Sequence, residues 1–107
     1  LKSLNCSNAG IASLSGLGLF AGLTQLKLSD NRIRNLVELG QLSGVESLWL
    51  DNNVVVDPVP LAQLRKLQLL DLTSNPKLQC PKVGLLDYVT TLTVPKHCQG
   101  ASREQND

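Results

Sequence analysis

Three cysteines and one histidine are the side chains of this sequence that could support nucleophilic or metal chemistry: Cys6, Cys80, His97 and Cys98. His97 beside Cys98 would pair a thiol with a base, but neighbouring side chains of an extended chain point to opposite faces. A metal site is disfavoured because Cys6 lies near the opposite end of the chain and Cys80 and Cys98 lack a second pair. We therefore expect no catalytic residue, no metal and no cofactor.

The amino-acid composition argues against two classes of partner, nucleic acids and anionic membranes. The 107 residues carry a net charge of +1 with Lys and Arg scattered, and aromatics make up 3%. No basic patch for nucleic acid or an anionic membrane is visible. The most apolar stretch, 14–26, is broken by Ser, Thr and Gly and is too short to cross a bilayer. Because the chain opens on Leu1, we expect a trimmed piece of a longer protein.

The stretch LTQLKLSDNRI, Leu23 to Ile33, is the unit from which the fold can be predicted. Leu26 and Leu28 are two residues apart, so in a strand they share one face while Lys27 points to the other. Asn31 then ends the strand, with a side chain that can bond the turning backbone. One unit cannot bury its own leucines, so copies must stack on it.

Copies of this unit recur every 22 residues. They begin at Leu1, Leu23, Val45 and Leu67, and a terminal strand begins at Val89. Positions 1, 4, 6, 11, 14, 17 and 20 of each copy should be apolar, and only Pro58 and Lys77 fail, with Leu78 able to replace Lys77. The pattern predicts one solenoid domain over residues 1–98 and a polar, disordered tail over 99–107.

Two polar positions complete the repeat. Position 9 carries Asn31, Asn53 and Asn75, which can satisfy backbone groups left unpaired by a tight curve. Position 13 carries Ser13, Asn35 and Asp57, which are good N-caps for a short helix over positions 14 to 20. Each repeat is therefore predicted to contain a strand, an Asn-anchored turn and a short returning helix.

The LxxLxLxxNxI spacing of Leu23 to Ile33 resembles the leucine-rich-repeat family, in its 22-residue class. That class includes internalin-like bacterial surface proteins and phosphatase regulatory subunits. The resemblance implies an α/β fold, a right-handed solenoid with a parallel β-sheet on its concave face and short α or 3₁₀ helices on its convex face. It does not specify a ligand, because the family binds proteins, peptides, lipids and glycans.

The positions of the three cysteines help to predict the cellular location of the protein. We expect Cys6 to be a buried thiol, since it replaces a core leucine. Cys80 and Cys98 fall where the last repeat must be closed, and many secreted members of the family close it with cysteines. A Cys80–Cys98 disulfide would span about 18 residues and contribute roughly 3 kcal/mol. It would favour an extracellular, cell-surface or periplasmic location. The alternative is two reduced cysteines in a cytoplasmic solenoid.

Residues beside the inward leucines should line up across the sheet and form its binding surface. Trp49 and Leu69 stand out as an exposed apolar pair with a polar border, a composition typical of a binding hot spot. The border comprises Gln25, Lys27, Ser47, Asp51 and Asp71. The alternative is that Trp49 lies flat across neighbouring strands and only adds packing.

These observations predict a non-catalytic module that recognises a protein or peptide on its concave sheet face. The first alternative is a structural subunit of a larger extracellular or envelope assembly, docking through its open N-terminal end or covered there by upstream repeats. Glycan or lipid binding is a weaker alternative, because a single aromatic side chain makes a poor sugar platform.

Overall fold

Five short parallel strands lie side by side in one sheet, as the computed structural model of residues 1–100 shows. They are β1 (Ser3–Asn5), β2 (Gln25–Lys27), β3 (Ser47–Trp49), β4 (Leu69–Asp71) and β5 (Thr91–Thr93), in sheet order β1-β2-β3-β4-β5. Each residue pairs with the one 22 positions later, as Leu4 does with Leu26. The predicted solenoid with a parallel sheet is confirmed; of the predicted tail, residues 101–107 lie outside the described residues.

The middle residue of each strand points into the molecule. Leu26, Leu48 and Leu70 are fully buried, while the residues on either side of them are exposed or half-buried. The backbone ladder continues beyond the strands, for example from the Leu28 N–H to the Trp49 carbonyl at 2.9 Å. Every turn therefore joins the next through both backbone bonds and leucine packing.

The core is a column of aliphatic side chains between the sheet and the returning segments. Lys77 is exposed and Leu78 is only 3% exposed, so Leu78 does replace it. Pro58 is buried and therefore fills the apolar position that it was expected to miss.

Several expected core residues are not fully buried. In the first repeat Leu1 and Phe20 are exposed, and Leu4, Ile11 and Leu17 are half-buried. Cys6 is half-buried, because β1 has a described neighbour on one side only. Val83 is 67% exposed, since the one-residue shift at Leu78 and the positive φ of Gly84 alter the path of the fourth return. Leu86, at position 20 of the same repeat, is buried as expected.

The returning segments are 3₁₀ helices in three of the four repeats. They span Leu17–Phe20, Val37–Gln41 and Val59–Gln63, and a further one, Lys96–Cys98, follows β5. The fourth return runs as a series of turns, contrary to the prediction of a helix there. Among residues 1–100, no helix has the length and apolar character needed to cross a membrane.

The predicted caps bond the backbone, but they lie before the N-cap residue. Ser13 accepts the Ser15 N–H at 3.2 Å, three residues before the N-cap Gly16, and the other two lie one residue before theirs. The Val37 N–H donates to Asn35 Oδ1 at 2.9 Å, and the Val59 N–H donates to Asp57 Oδ1 at 3.0 Å. The N-cap residues themselves are Leu36 and Pro58, without a side-chain bond of their own. Asn35 and Asp57 therefore form side-chain turns that lead into the helices.

The asparagines at position 9 link each turn to its neighbours. Asn53 is 3% exposed; its Oδ1 accepts the Ile33 N–H, and its Nδ2 donates to the Leu28 carbonyl of the preceding repeat and the Leu50 carbonyl of its own. Asn31 and Asn75 make the corresponding bonds. In residues 1–100, no buried side-chain nitrogen or oxygen is left without a partner.

We predict that Asn53→Ala lowers the free energy of unfolding by about 3 kcal/mol, because it leaves several buried peptide groups unpaired. Asn35→Ala is the matched control, and the loss of its single exposed bond should cost about 1 kcal/mol. Urea unfolding followed by circular dichroism measures both. Equal losses for the two variants would show that the buried bonds contribute nothing special.

Position 8 of every repeat adopts the left-handed backbone region. Asn8, Asp30, Asn52 and Ser74 have φ between 55° and 59°. Asn and Asp tolerate this conformation because their side chains bond locally, whereas Ser does so less readily. This positive φ was not predicted, although the residues Asn, Asp, Asn and Ser at position 8 are a visible signal for it.

Ser74→Gly should therefore stabilise the protein by about 0.5–1 kcal/mol, since glycine adopts a positive φ without strain. Ser43→Gly is the control: Ser43 is exposed but is not among the positive-φ residues. There glycine only adds freedom to the unfolded chain and should destabilise by about 0.5–1 kcal/mol. Thermal melts of both variants check the opposite signs.

Candidate functional site

Two rows of side chains cross the solvent-facing side of β2, β3 and β4, and we call them, together with Asp51, the sheet face. Gln25, Ser47 and Leu69 are paired in register in the first row. Lys27, Trp49 and Asp71 are paired in the second. Because neighbouring strands are about 4.8 Å apart, side chains within a row are close enough to act together.

Trp49 lies at the centre of the second row and is half-buried. The Lys27 Nζ atom is 5.2 Å from the centroid of its ring, within the range of a cation–π contact. On the other side Trp49 is paired with Asp71. Trp49 thus packs against its neighbours and still presents part of its ring to solvent, combining features of the two sequence-based interpretations.

The two carboxylates of the sheet face are held by hydroxyl groups. Asp71 Oδ1 accepts the backbone N–H of Thr73 at 3.0 Å and its Oγ1–H at 2.7 Å. Asp51 Oδ1 accepts the Oγ–H of Ser29. These bonds fix the direction of each carboxylate, which can accept hydrogen bonds from cationic or N–H groups of a partner.

Ser29 and Thr73 were not among the predicted site residues. Both occupy position 7 of their repeats, two residues after the central position of the sheet face. In the first repeat the same local turn joins the Ser7 N–H to Asn5 Oδ1 at 3.0 Å. For Thr73 the available signal was a hydroxyl residue two positions after an acidic one. Ser29 follows Lys27, and its partner Asp51 occupies the same position 7 in the next repeat.

The C-terminal end of the solenoid is closed by the Cys80–Cys98 disulfide, as predicted, with a Cα–Cα distance of 5.3 Å. The prediction that the His97 and Cys98 side chains point to opposite faces of an extended chain was wrong, because Lys96–Cys98 is a 3₁₀ helix. Ligand atoms of Cys80, His97 and Cys98 lie within 4.8 Å of one another. While the sulfurs are joined, neither is a thiolate that could attack a substrate or bind a metal.

Tyr88 anchors the same end of the molecule and was also missed. Its hydroxyl donates to the Leu61 carbonyl at 2.7 Å, and the Arg65 guanidinium lies 4.2 Å from the ring centroid. Burial raises the pKa of the Tyr88 hydroxyl, an effect opposed by the charge of Arg65. The neutral, hydrogen-bonded phenol is therefore the form that the fold favours.

Comparison with solved structures places this architecture among known proteins. The chain is similar to internalin C2 of Listeria monocytogenes, with 28% identity over 80% of this chain and a TM-score of 0.67. The chain is a leucine-rich-repeat solenoid. Internalin F of the same organism has the same fold, with 23% identity over 88% of this chain and a TM-score of 0.74.

The leucine-rich-repeat chain spans 37% of the length of the internalin C2 structure and 28% of the internalin F structure. No protein-family model matches it, and no curated protein matches it. The structural neighbours establish the solenoid fold and its family resemblance.

Intact mass after thiol alkylation should show one modified cysteine, Cys6, in the untreated protein and three after reduction, because Cys80 and Cys98 are joined. Cys80→Ser should lower the free energy of unfolding by about 3 kcal/mol, since it opens the closed loop. Three alkylated thiols without reductant would contradict the disulfide and the extracellular location that it favours.

Proposed function

We propose that this leucine-rich-repeat solenoid is a non-catalytic recognition module that binds a protein or peptide on its sheet face. The observation that carries the proposal is the position of Trp49: a partly exposed indole at the centre of an in-register array, beside Leu69 and bordered by charge. Tryptophan at the centre of a contact, with polar residues around it, is typical of interface hot spots.

The charges of the sheet face favour an oriented partner. Lys27 and Asp71 flank Trp49 on opposite sides, so a bound segment meets a cation on one side and a carboxylate on the other. The carboxylates of Asp51 and Asp71 are already fixed by Ser29 and Thr73. Groups held in place before binding lose little side-chain freedom on association, which favours affinity.

The proposed location is extracellular, on the cell surface or periplasmic. Its support is the Cys80–Cys98 disulfide, because such bonds persist in oxidising compartments and are rare in the cytoplasm. The similarity to internalins supports the proposal of a protein-binding role, because an internalin-like leucine-rich-repeat fold suggests an interaction module. The sheet face as defined contains one aromatic side chain, which makes a glycan platform the weaker alternative.

Peptides selected from a display library against the wild-type solenoid should lose at least tenfold in affinity on Trp49→Ala, because the central anchor is removed. Val59→Ala is the matched control: Val59 is an apolar side chain, 57% exposed, on the returning side of the solenoid. Thermal melts should confirm that both variants fold. Peptides that retain full affinity for Trp49→Ala would place recognition elsewhere.

A second candidate function, a subunit role in an assembly, draws on a different surface. In the first repeat Leu1 is 71% exposed and Phe20 is 41% exposed, with Leu4 and Ile11 half-buried beside them. An apolar surface of this kind can dock on another chain. Sedimentation velocity should then show self-association that Phe20→Ser weakens. A monomer at all concentrations would count against this role.

A further inference from the structure

The C-terminal end of the solenoid brings together two cysteines and a histidine, side chains that commonly bind thiophilic metals such as Zn²⁺. Cys80, His97 and Cys98 place their ligand atoms within 4.8 Å of one another. The Cα atoms of the two cysteines are 5.3 Å apart, and Cys98 is held by the helix Lys96–Cys98. In a tetrahedral zinc site with Zn–S bonds of about 2.3 Å, two thiolates lie roughly 3.8 Å apart. The present separation of the side chains therefore needs only local adjustment once the sulfurs are no longer bonded.

A backbone carbonyl lies within hydrogen-bond distance of the His97 ring. Its Nε2 lies 2.8 Å from the Leu78 carbonyl oxygen, and a carbonyl can only accept, so Nε2 carries the proton. In the neutral ring Nδ1 is then left with its lone pair available. Metal-bound histidines commonly donate their second ring N–H to a carbonyl in this way, which fixes both the tautomer and the ring orientation. Leu78 is 3% exposed, so the acceptor is itself held firmly by the core.

The sulfurs can be reached from solvent. A cavity of about 210 Å³ is lined by Cys80 and Cys98, with Lys82, Asp87 and Val94 among its other residues. His97 is exposed and Cys80 is half-buried, whereas Cys98 is buried. A reductant can therefore reach Cys80, and an ion can enter next to both sulfurs.

We propose that reduction converts this closure from a disulfide into a site for a thiophilic cation of the Zn²⁺ class, held by Cys80, Cys98 and His97. A dithiol supplies two electrons and two protons, the Cys80–Cys98 bond breaks, and the dithiol becomes a disulfide. The cation then replaces both thiol protons and takes the Nδ1 lone pair of His97, leaving a fourth position to water. The disulfide and the bound metal exclude each other, because each uses both sulfurs.

The site closes the same end of the solenoid in either state. Oxidised, the covalent bond ties the fourth return to the segment after β5; reduced, the cation would tie the same two segments. Cys80, His97 and Cys98 are not part of the sheet face, so metal binding at this end and partner binding on the sheet face can be measured separately.

The test uses the full chain, reduced with a phosphine and titrated anaerobically with Co²⁺ as an optical probe, followed by displacement with Zn²⁺. One Co²⁺ per chain should bind with thiolate-to-cobalt charge-transfer absorption, and the oxidised protein should show none. His97→Ala should weaken binding at least tenfold, in line with the loss of one of three ligands. Cys6→Ser, which removes the remaining thiol, should leave the titration unchanged.

Absence of the charge-transfer band in the reduced protein would overturn the proposal. So would equal affinity of His97→Ala and the wild type, which would assign the metal to the thiolates alone. If reduction unfolds the chain, circular dichroism will show the loss of the folded spectrum. Saturating Zn²⁺ should then restore the folded spectrum and a cooperative melt, since metal binding and folding are coupled. A chain that stays unfolded in Zn²⁺ would be equally decisive against the site.

Discussion

Every turn of this solenoid has to satisfy peptide groups on the inside of a tight curve where no strand neighbour is available. The buried asparagines at position 9 of the second, third and fourth repeats do so, each with an amide that accepts from and donates to backbone groups in two successive repeats. The first repeat has Ala9, whose N–H donates to Asn31 Oδ1. Because one amide serves two turns, the repeats must stay in a fixed register. The residue just before each asparagine adopts a positive φ, which turns the chain so that the asparagine points inward. Strand pairing, leucine packing and the sheet face all depend on that register.

The same register explains why a few scattered side chains become one surface. Lys27, Trp49 and Asp71 are 22 residues apart in sequence and adjacent across β2, β3 and β4. Their arrangement follows from backbone pairing, so it requires no contact among the side chains themselves. The Lys27–Trp49 contact and the bonds from Ser29 and Thr73 then restrict the side chains further. The result is a rigid array suited to recognition.

The C-terminal end is built differently from the other turns, because no further repeat stacks on it within residues 1–100. The returning helix is absent in the fourth repeat, Tyr88 reaches back to the Leu61 carbonyl, and a disulfide joins the return to the segment after β5. Closure by a covalent bond also assembles Cys80, Cys98 and His97 in one place. Closing this end of the solenoid therefore places two cysteines and the histidine next to one another.

Sequence alone was sufficient for the repeat and most of the buried leucines, because these follow from periodic spacing that repeats in every turn. The parallel sheet and the pairing of Cys80 with Cys98 were expected from the resemblance to leucine-rich-repeat proteins. The sequence also aligned Trp49 with Lys27 and Asp71, since register is a property of the period. Only the tertiary structure decided the partial burial of Trp49, the exposure of Val83, the burial of Pro58 and the approach of His97 to the two sulfurs. Val83 and His97 lie in segments that depart from the repeat, whereas Trp49 and Pro58 keep their repeat positions. In both cases burial is set by the neighbours of the side chain in space, which the period does not specify.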